Sequence, residues 1–367
     1  MNLDIKVIWH KSKEVRVPKV SVIIPVYNVE QYISKCLDCV INQTLEDIEV
    51  ICINDCSTDG SLKILQEYAS KDNRIKLIDL HQNVGSGEAK NKGLEIVKGE
   101  YIGFVDPDDC IDLNFYEELY KKASETNADI VKGELIIIDF DGIAKESKVK
   151  NEQIKKSKFY FYFDYTSAIY KTSVIIKNNI IFPSALIVGE DVVFLHKVIL
   201  KSKIIELINN TKYYYIRREN SLNTYIYDDK RVLSAIKTIE YKANNYNNSY
   251  DIDILHDEYL EQYYLNMFVL VGYTINLTPK KSLKLECIKK FIELFNNCKI
   301  KKELENVFVQ KNQSEVLDLI KNNKIEYLLE ICKKYKTLTN YCTIVKLRNN
   351  VKTDMKNVKC ISNYTYI

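Results

Sequence analysis

The chain has 367 residues, 46% hydrophobic and 28% charged, with a formal net charge of +3, only 10 glycines and 5 prolines, and 27 tyrosines. So little glycine and proline excludes collagen-like, Gly/Ser-linker and proline-rich disordered classes, and the length supports two domains with their own cores. The charge is uneven: residues 278–367 hold 19 Lys and Arg against 9 Asp and Glu, whereas residues 1–277 hold 34 against 41. In chain order, residues 1–19 are a charged lead-in. Residues 20–25, Val-Ser-Val-Ile-Ile-Pro, form an apolar run without alternation, as in a strand buried on both faces. Helical spacing follows over 30–42, then a strand over 48–53, a helix over 61–70, a strand over 75–80, a helix over 88–97 and a strand over 101–105. A helix over 114–126 and a strand over 130–138 continue the rhythm, which is that of βαβ units and a mostly parallel sheet.

Beyond residue 140 the rhythm weakens. Residues 145–158 read as a Lys-rich exposed excursion and 159–170 as an aromatic-rich stretch, followed by a helix over 191–201 and a strand over 213–216. From 229 the pattern is helical, with Leu285, Ile288, Ile292 and Phe295 on one stripe. The expected organisation is a lead-in over 1–19, an α/β domain over 20–228 and a helical, basic region over 229–367.

The first residues lack the apolar core of a signal peptide. The apolar stretch 264–277 is shorter than the roughly 20 residues a membrane-spanning helix needs. A soluble or peripheral protein of the cytoplasm is therefore expected, with the basic region drawn to an anionic membrane surface or simply forming solvated helix faces. Of ten cysteines, Cys36 and Cys39 lie on a helical face, and no second Cys pair or His pair completes a zinc site. Buried free thiols are expected.

In open α/β sheets ligands bind beyond the carboxyl ends of the strands. The first strand is followed by Pro25-Val-Tyr27-Asn28, the second by Asn54-Asp55-Cys56-Ser57-Thr58-Asp59-Gly60 and the fourth by Asp106-Pro-Asp108-Asp109. The third leads to Asn83-Val-Gly85-Ser-Gly87-Glu-Ala-Lys90. Three carboxylates in Asp106-x-Asp108-Asp109 repel one another unless a hard cation such as Mg²⁺ or Mn²⁺ joins them; they could equally serve as a cap and acidic first turn for the next helix. Gly85-x-Gly87 is no nicotinamide fingerprint, because Lys90 stands where a third small residue belongs. Those glycines instead suit a tight turn or close backbone approach. Glu190-Asp191 opens a helix and reads either as a cap or as a general base.

Together, Ser21-Val-Ile-Ile-Pro-Val-Tyr-Asn28, Asn54-Asp-Cys-Ser-Thr-Asp-Gly-Ser61, Ala89-Lys-Asn-Lys-Gly93, Tyr101-Ile-Gly-Phe-Val-Asp-Pro-Asp-Asp109 and Gly189-Glu-Asp191 resemble a family-2 glycosyltransferase over residues 18–225. The resemblance implies a GT-A fold, a nucleotide-sugar donor, most simply a UDP-sugar, and a divalent cofactor, Mn²⁺ or Mg²⁺. It implies inverting single displacement onto a glycan or glycolipid acceptor such as lipooligosaccharide, capsule or lipid-linked oligosaccharide. By position, Pro25 and Tyr27 would line the base pocket and Asp55 would bond the uracil. Lys90 would stand near the nucleotide where many relatives carry Arg, a point charge in place of a fork. Asp106 would face ribose or metal, and Asp108 would ligate the metal. Asp191 would be the base, with Glu190 beside it. Arg217, Arg218 and Ser221 resemble a segment that closes over the donor. A nucleotidyltransferase would need a Gly-rich loop with Arg and Lys where Pro25-Val-Tyr-Asn28 stands, and a non-catalytic sugar-binding protein would not need Asp55, Asp108 and Asp191 together. No nucleic-acid-binding module is recognisable.

Overall fold

A computed structural model describes residues 6–8, 17–138, 144–146, 164–218, 229–248, 278–297, 305 and 314–334. The chain divides into two compact units, Met1–Leu222 and Asn223–Ile367. Among the described residues unit one holds ten strands: β1 (Lys6–Ile8), β2 (Val20–Val26), β3 (Ile48–Asn54), β4 (Ile75–Asp79), β5 (Tyr101–Phe104), β6 (Cys110–Ile111), β7 (Ile130–Ile138), β8 (Ala144–Glu146), β9 (Ala168–Lys171) and β10 (Ile205–Ile216). Its described helices are α1 (Ile33–Ile41), α2 (Ser61–Lys71), α3 (Ser86–Leu94), α4 (Phe115–Thr126), α5 (Thr172–Lys177) and α6 (Glu190–Lys201).

The strands form one sheet in the order β1-β4-β3-β2-β5-β9-β7-β10-β6, with β8 added on β7. The β4-β3-β2-β5 block is parallel. Its strands are the apolar runs without alternation: every residue of β2 and β3 is buried, which only a strand covered on both faces requires. Helix α1 buries Ile33, Cys36, Leu37 and Val40, one stripe at helical spacing. Helices α2 and α3 pack on the β2–β4 side, and α4 packs on β7, β9 and β10. Helix α4 stops at Asn127, whose φ of 53° is a left-handed terminator that asparagine tolerates.

Two features place the site. Strand β2 feeds neighbours on both sides, so the order reverses between β2 and β5 and opens a crevice at their carboxyl ends. Strand β9 then runs antiparallel to both β5 and β7, so its beginning lies at the rim where β5 ends. Residues just ahead of Ala168 are thereby delivered to the crevice.

The second unit contains α7 (Asp229–Asn248), α8 (Lys281–Asn296), α9 (Ser314–Lys321) and α10 (Ile325–Lys334). Helix α8 buries Cys287, Ile288, Phe291, Ile292, Leu294 and Phe295 and contacts α7, α9 and α10. Lys290 of α8 pairs with Glu240 of α7 at 3.1 Å. The expected stripe is present in Ile288, Ile292 and Phe295, while Leu285 is half-buried. No helix among the described residues is long and apolar enough to cross a membrane. The apolar stretch 264–277, Ser221 and most of the basic end lie outside the described residues, as do most of residues 145–158. The described Ala144–Glu146 pairs antiparallel with the end of β7.

The expectation of free thiols fails for one pair. Cys39 of α1 and Cys110 of β6 are joined as a disulfide, with Cα atoms 5.8 Å apart. The periodicity of α1 identifies Cys39 as a helix residue but cannot reveal a partner brought to it on β6, which pairs antiparallel with the distant β10. Cys36 and Cys52 remain buried thiols. Replacing Cys110 by Ser is expected to cost about 2–4 kcal/mol in oxidising buffer and little in excess reductant, as read by urea denaturation under both conditions.

Candidate active site

The rim is built first by backbone lacing. Asn28, at φ 51°, accepts the Thr58 N–H on its Oδ1 at 2.8 Å, and its own N–H donates to Ser57 Oγ at 3.1 Å. Val29 N–H donates to Ser61 Oγ at 2.9 Å, and the Gly60 N–H donates to Glu30 Oε2 at 2.6 Å. The segments after β2 and β3 therefore hold one another. Pro25 lies buried inside β2, beyond the point where β5 stops pairing at Ile23–Phe104. Its missing N–H falls where no ladder partner remains, which lets proline sit in a central strand. Tyr27 follows it and is 47% exposed on the crevice rim.

Asp55 is 3% exposed, and both its oxygens are used: Oδ1 accepts the Val84 N–H at 2.7 Å and Oδ2 the Gly85 N–H at 2.9 Å. Burial raises its carboxyl, and these two N–H groups pull it back. Asp55 thus clamps the loop that enters α3. Gly85 takes a φ of 86°, and at Gly87 a Cβ would lie 3.0 Å from the Glu190 side chain. The two glycines make the turn and the close approach between α3 and α6.

Lys90 on α3 is 1% exposed. Its ammonium lies 3.2 Å from Glu190 Oε1, donates to the Tyr165 hydroxyl at 3.3 Å and sits 4.5 and 4.4 Å from the ring centres of Tyr165 and Phe182. Tyr165 in turn donates to Asp106 Oδ1 at 2.7 Å. A continuous polar line therefore runs Glu190–Lys90–Tyr165–Asp106. Burial pushes the Asp106 carboxyl up to about 6, against the pull of the Lys90 ammonium and with a further push from Asp108. Asp191, in the first turn of α6, is pushed up to about 7, by burial and then by the Glu190 charge, with Lys90 opposing. Its Oδ1 accepts the Val192 N–H at 2.7 Å, while the N-cap of the helix is Gly189, without a side-chain capping bond.

The three aspartates of the 106–109 segment have separate fates. Asp108 meets the Arg218 guanidinium at 2.6 Å, and Arg218 lies over the Tyr32 ring at 4.7 Å. Burial raises the Asp108 carboxyl and Arg218 counters it. Asp109 turns inward, 1% exposed, accepting the Tyr213 hydroxyl at 2.7 Å and the Ile216 N–H at 2.8 Å. Tyr213 also accepts the Asp106 N–H at 3.1 Å. Asp109 therefore ties the acidic segment to β10. None of these aspartates starts α4: β6 intervenes, and the acidic first turn of α4 is Glu117 and Glu118. Arg217 anchors the end of β10 to β7 through its N–H to Ile138 O at 2.9 Å.

Among the described residues no group of three or more His, Cys, Asp or Glu could hold a metal alone. Asp106 and Asp108 are two hard oxygen donors, raised by burial, on the rim beside the crevice. That set fits Mg²⁺ or Mn²⁺, which take one or two carboxylates and complete their shell from phosphate oxygens and water. The sequence did not single out Tyr165 or Tyr213; Tyr165 falls in the aromatic stretch 159–170, where composition alone cannot tell a core ring from a rim hydroxyl.

The chain matches the family model Glycosyl transferase family 2 over residues 21–184. It is 30% identical over 217 residues to the Streptococcus pneumoniae protein named glycosyltransferase GlyG, covering 55% of this chain and 72% of that protein. This chain belongs to glycosyl transferase family 2. It is also 31% identical over 341 residues to the Bacillus spizizenii poly(ribitol-phosphate) beta-glucosyltransferase, covering 89% of this chain but spanning 52% of that relative's length. For another family member, Streptococcus pneumoniae GlyA, the match spans 16% of its length. The structure of S. aureus TarS 1–349 in complex with UDP-GlcNAc superposes with a TM-score of 0.68 at 22% identity, over 87% of this chain and 92% of that one. A mannosyltransferase from Pyrobaculum calidifontis, in complex with GDP-Man and Mn²⁺, superposes with a TM-score of 0.53 at 14% identity, over 89% and 88%. The fold of the family-2 chain is thus the GT-A fold of these enzymes.

Asp55→Ala leaves the Val84 and Gly85 N–H groups without their acceptor. A loss of about 1–3 kcal/mol of stability is expected, measured by thermal melting.

Proposed function

We propose that this protein is an inverting glycosyltransferase that moves a sugar from a UDP-sugar to a hydroxyl of a growing surface glycan. What supports the reading is the meeting, at the switch point of the sheet, of Asp106 with Glu190 through Tyr165 and Lys90, with Asp108 two residues after the one and Asp191 next to the other. Tyr27 and Pro25 border the space for the base, and the Asp55-clamped loop lies beside it. Asp106 and Asp108 would hold Mn²⁺ or Mg²⁺, which when bound would neutralise the charge of the diphosphate leaving group. Arg218 would exchange its partner Asp108 for the diphosphate, and Arg217 follows the same strand end.

The chain's own chemistry is then a single displacement. Asp191 takes the proton of the acceptor hydroxyl. The acceptor oxygen bonds the anomeric carbon as the bond from that carbon to the diphosphate oxygen breaks, and the electron pair leaves with the nucleotide. Glu190 beside it raises the Asp191 carboxyl towards the range of a base that works near neutral pH, while Lys90, paired with Glu190, limits that rise. One carboxylate base suffices, because no covalent intermediate forms.

The names of two relatives support an acceptor class. One is named for poly(ribitol-phosphate) glucosylation and another for poly(ribitol-phosphate) N-acetylglucosaminylation. We extend the candidate acceptors, which include lipooligosaccharide, capsule and lipid-linked oligosaccharide, to such anionic surface polymers. The basic region 278–367 suits an anionic partner of this kind, whether the polymer or a membrane surface at the cytoplasmic face.

Asp108→Ala should abolish Mn²⁺-dependent UDP binding and sugar transfer while leaving the melting temperature within a few degrees. Asp191→Asn should lower the transfer rate at least about a hundredfold and leave UDP affinity unchanged; near-normal turnover would remove Asp191 from the role of base. Because Asp191 works deprotonated and titrates at about 7, the transfer rate should climb as pH passes through that value and level off above it. The stability sign is opposite: a raised folded-state carboxyl favours the fold below the unfolded value of about 3.9 and loses that contribution as pH rises towards 7. Asp191→Asn should therefore gain more melting temperature at about pH 8 than at about pH 5.

A further inference from the structure

We infer that Tyr165 is the positioning residue that aims the Asp106 carboxylate and the Lys90 ammonium, joining the candidate metal end of the site to its candidate base end. The inference rests on the metal reading of Asp106 proposed above. It starts from how firmly Tyr165 is held. Asp164 Oδ1 accepts the Ser167 N–H at 2.7 Å and closes a turn just ahead of β9. The buried Lys132 ammonium from β7 pairs with Asp164 and donates to Ser167 Oγ. Tyr170 donates its hydroxyl to the Tyr165 carbonyl at 2.6 Å. The Tyr165 ring lies 5.4 Å from Phe104 and 6.0 Å from Phe182, centre to centre. Backbone and ring are therefore held independently of the hydroxyl.

The hydroxyl has one proton and two lone pairs. Its proton goes to Asp106 Oδ1 at 2.7 Å, and a lone pair accepts from Lys90 Nζ at 3.3 Å. A phenylalanine would satisfy every ring contact just named and neither of these polar ones, so packing alone does not account for a tyrosine here. With Oδ1 engaged, the carboxylate of Asp106 is locked in rotation and its second oxygen is left to a cation. With Lys90 held by the hydroxyl, two rings and Glu190, its ammonium is a fixed internal charge. Partners that orient a metal-binding carboxylate typically change affinity by about 10–100-fold when removed.

The test is Tyr165→Phe in the full chain. Mn²⁺ affinity in the presence of UDP, read from the free Mn²⁺ signal in electron paramagnetic resonance, should weaken about tenfold. UDP affinity without metal and the melting temperature should stay close to the wild type, and the KM for acceptor should not move. Wild-type Mn²⁺ affinity in Tyr165→Phe overturns the assignment. A parallel fall in melting temperature and in metal-free UDP affinity also overturns it, in favour of simple packing. Failure of the wild-type protein itself to bind Mn²⁺ with UDP overturns the metal reading of Asp106, and this assignment with it; Tyr165→Phe is uninvolved in that outcome, so the two failures are separable.

Discussion

Buried negative charges at the carboxyl rim of the sheet must be balanced from within, and Lys90 is the residue on which that balance turns. Asp106, Glu190 and Asp191 all feel its ammonium or one another's charge. At about 4 Å and an effective dielectric near 20, an opposite-charge pair such as Lys90 with Glu190 gains about 4 kcal/mol before desolvation is counted. A lone buried lysine would be as costly as the carboxylates it offsets. Here it is enclosed by two aromatic faces, a hydroxyl and a carboxylate, so that neither sign is stranded. Arg218 performs the same service for Asp108, but on the half-buried rim and with Tyr32 beneath it.

Sheet topology supplies the places for these groups. The parallel block β4-β3-β2-β5 sends four loops to one edge, and the reversal at β2 leaves room between them. The antiparallel insertion of β9 adds a strand that begins at the rim instead of ending there, which is how Tyr165 arrives. Strand β10 comes back parallel to β7 and offers Tyr213 and the Ile216 N–H to Asp109. Asp109 is thus committed to architecture, which leaves Asp106 and Asp108 for the metal role proposed above.

Much of this was legible in the residues. Runs such as Val20-Ser-Val-Ile-Ile-Pro25 announce buried strands because no polar face interrupts them, and the loops after them carry their chemistry in contiguous motifs. Asp55, Lys90, Asp106, Asp108, Glu190 and Asp191 all come from such motifs, and all lie along the strand ends or in the helices that the loops enter. What periodicity cannot express is pairing across the chain. The Cys39–Cys110 disulfide, the Tyr165 bridge and the Asp109–Tyr213 tie each join residues whose local sequence is unremarkable. The two-residue β6 is too short for any pattern, and the antiparallel sense of β9 is a property of its neighbours, not of Ala168–Lys171. Lys90 was visible as a cation near the nucleotide loop, but its enclosure depends on Tyr165 and Phe182, which come from far along the chain.

The stacking of Arg218 over Tyr32 also bears on how the molecule is made. Tyr32 is the N-cap of α1 and Arg218 follows the end of β10, so the contact spans nearly the whole first unit. Contacts between such distant positions carry the largest loop-closure cost and form late. During synthesis the parallel β2-β3-β4-β5 block can assemble as soon as it emerges, whereas the acidic segment must wait for β10 to receive its tyrosine, its backbone donor and its arginine. The assembled rim is therefore a product of the last steps of folding, and a nascent chain stopped short of residue 218 would own a core without the Arg218 pairing that completes the proposed site.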